Sequence, residues 1–556
     1  MPCPPRRIFT VLLALFLIGC FAGCTASAPV AENHPPAQRP ALVVVIAVDQ
    51  LGEDLLERYD KLFTGGFRRL RDQGMSFSEA RVDHAITISH PGHVSLATGD
   101  EPARHGIVDA AFYEGPPGAR KLVDAVADPG FPIVGARGLP GASPQKILVS
   151  TLSEWIAAAD PQARVVALGS GQYSSLLHAG HARGDVYWYS GAVGRYVTSS
   201  FYRQDDAAWV TSFNERTLPL FMQRSRVWES TVPEAARSLA RPDDSPYEAR
   251  GKFTTFPHRF EDEVPPAQRD DPRALPWRLS VTPMLDEATL SLAEDAVRAQ
   301  ELGRRGTTDI LSIVVSQVDD IGHWYGPRSQ EQLDNLLRLD RELGEFLAFL
   351  DQSVGEGRYV LALSADHAAP DIPEHRREAG ETARRITGEE IKTVLDEVRA
   401  AIVQATQDGT PDEIASRVAA AVKRHDFVAA AMTPAELSGN GQAADTFLTL
   451  YRNSWRPDRV PRFPLFTSAD GTSPVGAAGV MVRLTEGSMI DIDPVVHGSP
   501  YDEDRRVPLL FFGAGVRHGR SAEPARTIDL APTLARLAGI PVPPELDGRA
   551  LIPQSR

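Results

Sequence analysis

Five continuous apolar runs along the chain predict buried strands, because each is a short aliphatic stretch that ends at polar or glycine residues. These runs are residues 41–48, 164–168, 310–315, 359–363 and 507–512. Stretches with apolar residues at helical spacing lie between them, at 66–73, 150–158, 283–301 and 331–350. This alternation predicts an α/β fold, in which a mainly parallel sheet is sandwiched by helices.

Two long segments interrupt this alternation and look inserted. Residues 190–280 are rich in Pro, Arg and Asp and have weak periodicity. Residues 372–480 begin with charged helical stretches, at 389–407 and 411–424, and continue into Pro-rich coil. Either segment could be surface decoration or a cap over the active edge of the sheet, where loops usually select the substrate.

The N-terminus is typical of an export signal. Arg6 and Arg7 precede an apolar run, residues 8–18, which is shorter than the about 20 residues that a membrane span needs. The run leads to Cys20 and Cys24, and both surroundings resemble the lipobox of bacterial lipoproteins, the first more closely. We expect residues 1–24 to be a lipoprotein-type signal segment and 25–40 a tether, in an exported, periplasmic or outer-membrane-anchored protein. A cleaved signal peptide with incidental cysteines is the alternative.

Charge and cysteine content narrow the possible chemistry. The formal net charge of −15 argues against a broad nucleic-acid-binding surface, so membrane contact is expected only through a lipid anchor. The chain has three cysteines, Cys3, Cys20 and Cys24, all in the predicted signal segment. The remaining chain can therefore form no internal disulfide and no thiolate metal site, and a tightly bound metal must use histidine and carboxylate ligands.

Acidic and histidine residues lie beside the ends of the predicted strands. In a parallel sheet these ends meet at one edge, so residues that are distant in sequence converge there. Any one of them alone would be explained as a turn or helix cap. As a set they suit zinc or a similar divalent ion, with manganese and magnesium as alternatives, and two such ions can clamp a phosphoryl displacement. The set comprises Asp49, Asp319, His323, Asp366, His367 and His497.

A hydroxyl-containing segment supplies a candidate nucleophile. It reads Thr87-Ile88-Ser89-His90-Pro91-Gly92-His93, with Thr98-Gly99 and His105-Gly106-Ile107 after it. This pattern resembles the nucleophile region of the alkaline phosphatase superfamily, in particular its type I phosphodiesterase/nucleotide pyrophosphatase branch and the related Thr-nucleophile alkaline phosphatases. The resemblance implies that Ser89 is the nucleophile. Thr87 is the rival, but the spacing to Pro91 and His93 favours Ser89.

The resemblance extends in order along residues 41–550. Asp49 follows the opening strand, residues 319–323 resemble the family's Asp-x-x-Gly-His pair, and residues 364–367 resemble its Ser-x-Asp-His-Gly segment, with Ala368 in place of Gly. Residues 497–501 resemble the last ligand segment. The resemblance implies a covalent phosphoserine and two metal ions. One ion would be held by Asp49, Asp366, His367 and Ser89, and the other by Asp319, His323 and His497.

Three departures from the family pattern affect the expected substrate. Ser89 replaces the usual Thr, and Ala110 occupies the position of an Asn that contacts a phosphoryl oxygen. Residues 169–174 contain no cation, whereas the Thr-nucleophile monoesterases carry a Lys and an Arg there. A phosphate monoester carries close to two negative charges and a diester one, so the missing cations favour a small phosphodiester substrate.

The sequence also suggests other functions. One alternative is a monoesterase of the alkaline phosphatase type. A sulfatase is disfavoured, because residues 89–93 lack the Arg of the sulfatase motif. The third alternative is a non-catalytic lipoprotein that binds metal and ligand. The absence of the Asn, Lys and Arg side chains is consistent with this alternative. The complete set of six ligands favours an enzyme.

Overall fold

A mixed sheet lies at the centre of the fold, and nine of its strands fall within the described residues. In chain order they are β1 (Leu42–Val48), β2 (Met75–Phe77), β3 (Val165–Gly169), β4 (Asp185–Ser190), β5 (Arg195–Val197), β6 (Asp309–Val315), β7 (Tyr359–Ser364), β8 (Leu509–Gly513) and β9 (Gly519–Ser521). Their order across the sheet is β9-β2-β8-β7-β1-β6-β3-β4-β5. The computed structural model describes residues 39–405, 409–439, 446–462, 466–468, 471–490 and 493–552. The predicted signal segment and most of the tether therefore lie outside the described residues.

Five adjacent strands, β7, β1, β6, β3 and β4, are parallel, and four of them correspond to predicted apolar runs. The fifth run, 507–512, forms the antiparallel β8, and β4 was not predicted. β1 pairs in parallel with both β6 and β7, and β3 and β4 continue the parallel set. β8 is antiparallel to β7, and β5 is antiparallel to β4. Because β8 runs in the opposite direction, its amino end lies at the same edge as the carboxyl ends of the parallel strands. Residues that precede β8 can therefore reach that edge.

Helices cover both faces of the sheet, which confirms the predicted α/β sandwich. Alternate residues of β1 point to opposite faces: Leu42, Val44 and Ile46 pack in one hydrophobic cluster, and Val43 and Val45 pack in another. The first cluster includes residues of α1 (Glu53–Arg58), α2 (Gly66–Gln73), α6 (Met284–Ala299), α7 (Gln317–Tyr325) and α8 (Gln330–Leu350). The opposite face is covered by α3 (Ser89–Thr98), α4 (Leu152–Ala159), α5 (Ser174–Ala179) and α9 (Leu530–Ala538).

The two segments that look inserted differ in how they pack. Residues 190–280 supply β5 and contribute Val210, Phe213 and Trp228 to the core beside β1. They are therefore part of the packed fold as well as of its surface. Residues 372–480 form most of a separate hydrophobic cluster around Gly388–Ala405 and Pro411–Val422. The part predicted as coil also contains a strand, Val428–Met432, that pairs with Met481–Leu484.

Shorter elements complete the described fold. The remaining helices are Pro102–His105, Ala208–Ser212, Leu218–Arg224, Phe260–Glu263, Ala274–Leu279, Pro373–Glu378, Pro434–Leu437, Thr446–Asn453, Pro474–Ala477 and Asp502–Arg505. The remaining strand pairs are Ala80–Arg81 with Ala525–Arg526, Val227–Trp228 with His258–Arg259, Arg384–Ile386 with Ser488–Ile490, and Ala111–Glu114 with both Lys121–Asp124 and Arg459–Pro461. Among the described helices, none combines the length and the apolar character that a membrane crossing needs.

Candidate active site

The fold brings the six predicted ligands together at one edge of the sheet, in two groups. Asp49 follows β1 directly, and Asp366 and His367 follow β7, so this first group is formed by adjacent strands. The second group contains Asp319 and His323, both on α7 after β6, and His497 from the segment before β8. Within each group the possible ligand atoms all lie within 4.8 Å of one another. The grouping is the one that the family resemblance implied.

Ser89 and the first group form a tight cluster around the imidazole of His367. Its Nε2 lies 3.3 Å from Asp49 Oδ1, 3.3 Å from Asp366 Oδ2 and 3.3 Å from Ser89 Oγ. Ser89 Oγ is also 3.5 Å from Asp49 Oδ1. Asp366 Oδ2 is buried and has no hydrogen bond of good geometry among the described residues, although His367 Nε2 and His93 Nε2 lie 3.3 and 3.5 Å away. A buried carboxylate oxygen without a donor is costly unless a cation or another ligand satisfies it.

The second group is centred on one carboxylate oxygen. Asp319 Oδ1 lies 3.3 Å from His323 Nε2 and 3.4 Å from His497 Nε2. Asp319 and His323 are four residues apart on α7, which places them on the same face of that helix. The ring centroids of His497 and His367 are 3.8 Å apart in a stacked arrangement. The two groups are therefore adjacent, and a single substrate group could contact both.

Backbone carbonyls fix the orientation of the three ligand imidazoles. The Nδ1 atom of His323 lies 2.7 Å from the Val495 carbonyl, and that of His497 lies 2.8 Å from the Thr87 carbonyl. His367 Nδ1 is 3.1 Å from the Ala368 carbonyl. A carbonyl accepts a hydrogen bond, so Nδ1 carries a proton and Nε2 is the nitrogen that faces the carboxylates and could bind a metal once it has lost its own proton. Metal-binding histidines are usually oriented in this way.

Thr87 and Ser89, the two candidate nucleophiles, have different environments. Ser89 is the first residue of α3, and its hydroxyl faces the first group. The Thr87 side chain is fully buried, and its hydroxyl donates to the Ser499 carbonyl at 2.8 Å. Only the Ser89 oxygen is therefore placed among the predicted ligands, which supports the motif-based choice without testing the chemistry.

Asp504 anchors the segment that carries His497, and no pattern in the sequence distinguishes it from other acidic residues. Its Oδ2 accepts hydrogen bonds from the backbone N–H groups of Gly498, at 3.1 Å, and Ser499, at 2.6 Å, and lies 3.5 Å from Thr87 Oγ1. Its backbone carbonyl accepts from the N–H of Ala368. One buried residue thus joins segments that bear predicted ligands from both groups and the predicted nucleophile.

His93 is a second residue whose role the sequence did not reveal, although the motif contains it. Its Nε2 lies 3.6 Å from Asp49 Oδ2 and 3.5 Å from Asp366 Oδ2. Its Nδ1 is 3.4 Å from His178 Nε2. The four-residue spacing from Ser89 on one helix could have indicated that both side chains share a face. His93 is placed to orient the two carboxylates of the first group.

Burial and neighbouring charges have opposing effects on the protonation of the three histidines. Burial disfavours the imidazolium of His367, but the Asp366 and Asp49 carboxylates outweigh burial and raise its pKa to about 10. In His323 the effect of burial is likewise exceeded by Asp319, which raises the pKa to about 9. Burial and the charge of His367 lower the pKa of His497 to about 4. At neutral pH, His323 and His367 therefore each hold a proton on the nitrogen that faces the carboxylates.

Metal affinity is accordingly expected to rise with pH. The raised pKa values favour the protonated histidines at low pH, so a metal ion bound by either group would have to displace at least one proton. Between pH 6 and 8 the affinity for such an ion should increase about tenfold or more per pH unit. Isothermal titration with Zn²⁺ in buffers of different ionisation enthalpy should show this proton release. An affinity that does not change over this pH range would contradict the assignment of these histidines as ligands.

Ser89 and the turn that lacks cations, two of the three departures from the family pattern, lie at the same edge of the central sheet. Residues 169–174 connect β3 to α5, and Gln172 in this turn is exposed. At Gly171 there is no room for a longer side chain, since a Cβ atom would lie 2.5 Å from Ser316 Oγ. Ala110 lies just before the strand Ala111–Glu114 and is partly buried. The turn therefore offers no cationic side chain to a substrate.

Comparison with known proteins identifies the family. The sequence pattern of the type I phosphodiesterase / nucleotide pyrophosphatase family matches residues 43–470, well over half of the chain. A protein of Myroides odoratus named calcium-transporting ATPase is 29% identical over 529 residues, which cover 91% of this chain and 93% of that protein. Alkaline phosphatase PafA of Elizabethkingia meningoseptica is 28% identical over 539 residues, covering 94% and 95% of the two chains.

A solved structure agrees with this assignment. It is a mutant of alkaline phosphatase PafA in which serine replaces a threonine, and alanine replaces an asparagine, a lysine and an arginine. It superposes with a TM-score of 0.80 at 25% sequence identity and covers 92% of this chain and 98% of that chain. With the parallel sheet and the clustered ligand types, these matches establish the class of the protein. The chain belongs to the type I phosphodiesterase / nucleotide pyrophosphatase family of the alkaline phosphatase superfamily and is a phosphoric ester hydrolase.

Proposed function

We propose that this hydrolase cleaves phosphodiesters in preference to monoesters, through a covalent phosphoserine at Ser89, with two divalent metal ions held by the two ligand groups. One ion would be bound by Asp49, Asp366, His367 and Ser89. The other would be bound by Asp319, His323 and His497. The observation that carries the proposal is the spacing of these ligand atoms.

The spacing suits zinc. Two ligands on one tetrahedral Zn²⁺, each at about 2.0–2.1 Å, lie about 3.3 Å apart. In the first group the separations among His367 Nε2, Asp49 Oδ1, Asp366 Oδ2 and Ser89 Oγ include three of 3.3 Å and one of 3.5 Å. In the second group they are 3.3 and 3.4 Å. Asp366 Oδ2, which is buried and has no hydrogen bond of good geometry, fits the same interpretation.

Ser89 can begin the reaction from its position at the start of α3. When bound, the metal ions would lower the pKa of the serine hydroxyl and stabilise negative charge on the phosphoryl and leaving oxygens. Ser89 Oγ loses its proton and forms a bond to phosphorus while the bond from phosphorus to the leaving alcohol oxygen breaks, and that oxygen takes up a proton. The intermediate is a phosphoserine that still carries the second ester group. Water then cleaves the bond between Ser89 Oγ and phosphorus, which releases a phosphate monoester and restores the hydroxyl. His93 holds the two carboxylates of the first group in place throughout.

The preference for diesters is supported by the absence of the Asn, Lys and Arg side chains of the family pattern. The PafA mutant carries replacements of the same residue types that distinguish this chain from the family pattern: Ser for Thr, and loss of Asn, Lys and Arg. A protein with those replacements keeps this fold, so the departures at Ser89, Ala110 and residues 169–174 require no different architecture. The names of the relatives as alkaline phosphatases favour the monoesterase alternative. Substrate measurements must decide between the two.

A diester and a monoester that release the same chromophore distinguish these two substrate preferences. We expect kcat/KM for bis(p-nitrophenyl) phosphate to exceed that for p-nitrophenyl phosphate by about a hundredfold, because removal of one donor to a phosphoryl oxygen costs about 10²–10³ in rate. Ser89→Ala serves as the background control for both substrates. If the monoester is turned over faster than the diester, the proposed preference is wrong. If neither substrate is cleaved by the metal-loaded wild type, the non-catalytic alternative is favoured.

The place of action is part of the proposal. We propose that the enzyme is exported and anchored by a lipid on Cys20 or Cys24, with residues 25–40 as a tether. The support is the N-terminal sequence alone, since these cysteines lie outside the described residues.

A further inference from the structure

Gln50 has a backbone conformation that side-chain-bearing residues rarely adopt. Its φ is +65°, in the left-handed region, and its side chain is 2% exposed. A residue other than glycine keeps such a conformation only where surrounding contacts determine it, and functional sites are where such strain is concentrated. Gln50 follows Asp49 directly, between the end of β1 and the start of α1. Its contacts account for the conformation.

Gln50 contacts both ligand groups at once. Its backbone N–H donates to Asp366 Oδ1 at 3.2 Å, in the first group. Its side-chain Nε2 donates to Asp319 Oδ1 at 2.6 Å, in the second group. The left-handed turn allows the backbone and the side chain of one residue to serve the two groups. A neutral amide also suits this position, because it donates a hydrogen bond without bringing a positive charge that would compete with a metal ion.

Gly322 makes room for this amide. A Cβ atom at position 322 would lie 2.1 Å from Gln50 Oε1 and 3.1 Å from its Cδ. The next nearest atom, Gln332 Nε2, would be 3.2 Å away, a contact that small adjustments can relieve. Gly322 lies in the middle of α7, where glycine weakens a helix and has no value as a turn residue. The amide of Gln50 gives a physical reason for glycine in the Asp-x-x-Gly-His segment.

We infer that Gln50 is a positioning residue that couples the two ligand groups, and that Gly322 is required because it leaves space for the Gln50 amide. By holding Asp319 Oδ1 from one side, the amide fixes the carboxylate toward His323 and His497. The inference rests on the proposed two-metal function and deepens it. Gln50 would not bind the ion itself, but its hydrogen bond to Asp319 would raise the affinity of the second group for that ion.

A double-mutant cycle on the full chain tests this inference, with Zn²⁺ affinity and bound zinc per chain as readouts besides activity. Gln50→Ala should weaken the binding of one of two Zn²⁺ ions about 10- to 100-fold, the usual cost of removing a hydrogen-bond partner of a ligand. Gly322→Ala should weaken the same ion by a similar factor, because its methyl group displaces the amide. In the Gln50→Ala background, Gly322→Ala should have little further effect, since the atom with which it clashes is gone.

Gln332→Ala is the matched control, since Gln332 is another fully buried glutamine that contacts α7, through the Val318 carbonyl at 2.7 Å. It should lower thermal stability and leave both zinc affinities within about threefold, the usual context dependence of such effects. Additive losses in the cycle, or a Gln50→Ala variant with wild-type affinity for both ions, would overturn the inference while the proposed function stands. A wild-type chain that binds no divalent ion would refute both.

Discussion

Replacement of Ser89 by alanine is expected to lower kcat for phosphate-ester hydrolysis about 10⁴-fold or more, because it removes the atom that forms the covalent intermediate. In the structure this oxygen lies 3.3 Å from His367 Nε2 and 3.5 Å from Asp49 Oδ1. The variant should still fold, since Ser89 occupies the first turn of α3, where alanine is well tolerated. Steady-state kinetics with the chromogenic diester measures the loss.

Thr87→Val is the matched control for this experiment. It removes the rival hydroxyl at nearly constant volume and breaks the hydrogen bond to the Ser499 carbonyl. We expect a small loss of stability and less than about a tenfold change in kcat, since a single buried hydrogen bond contributes about 1 kcal/mol. Rapid quenching with a ³²P-labelled substrate should trap label on the wild type and on Thr87→Val, and none on Ser89→Ala. Label on Ser89→Ala, or full activity of that variant, would assign the nucleophile elsewhere.

Replacement of Asp319 by asparagine should remove one of two bound metal ions and reduce kcat/KM about 10³-fold. The carboxylate is the only anionic member of the second group, so the variant retains two neutral imidazoles and an amide, which bind a divalent ion far more weakly. Zinc content by inductively coupled plasma spectrometry and hydrolysis of the diester should fall together. Excess Zn²⁺ should restore part of the activity if the loss lies in affinity.

Asp320, the acidic residue next to Asp319, gives an internal control. Asp320 is on the same helix one residue later and belongs to neither ligand group. Burial and the neighbouring Asp319 charge raise the pKa of Asp320 well above its usual value, so Asp320→Asn makes the same side-chain change one residue away without removing a ligand charge. We expect it to keep both ions and activity within about tenfold. If Asp320→Asn loses an ion and Asp319→Asn does not, the second group has been assigned wrongly. If neither variant loses an ion, Asp319 is not a ligand.

The parallel core and the convergence of the ligands could be predicted because both depend on local patterns. Buried parallel strands read as continuous apolar runs, and their carboxyl ends share one edge, so Asp49 and Asp366 could be placed together before any coordinates. The position of His497 could not be predicted in this way, because His497 precedes an antiparallel strand. It reaches the same edge only because β8 is reversed relative to β7, and an apolar run does not reveal strand direction.

Other features of the site depend on contacts between distant residues, which one sequence does not encode locally. Asp504 looks like any acidic residue of a short helix, yet its carboxylate joins the segments of Thr87 and Ser499. The role of Gln50 depends on a positive φ and on a glycine 272 positions later, as the Gly322 contact shows. Residues 190–280 have weak periodicity because their apolar side chains join an existing core at irregular intervals.

Anomalous X-ray diffraction at the zinc absorption edge, on crystals of the zinc-loaded wild type, tests the central claim most directly. The account predicts two peaks. One should lie among Asp49, Asp366, His367 and Ser89 Oγ, and the other among Asp319, His323 and His497. A single peak, no peak, or zinc bound away from these side chains would contradict it.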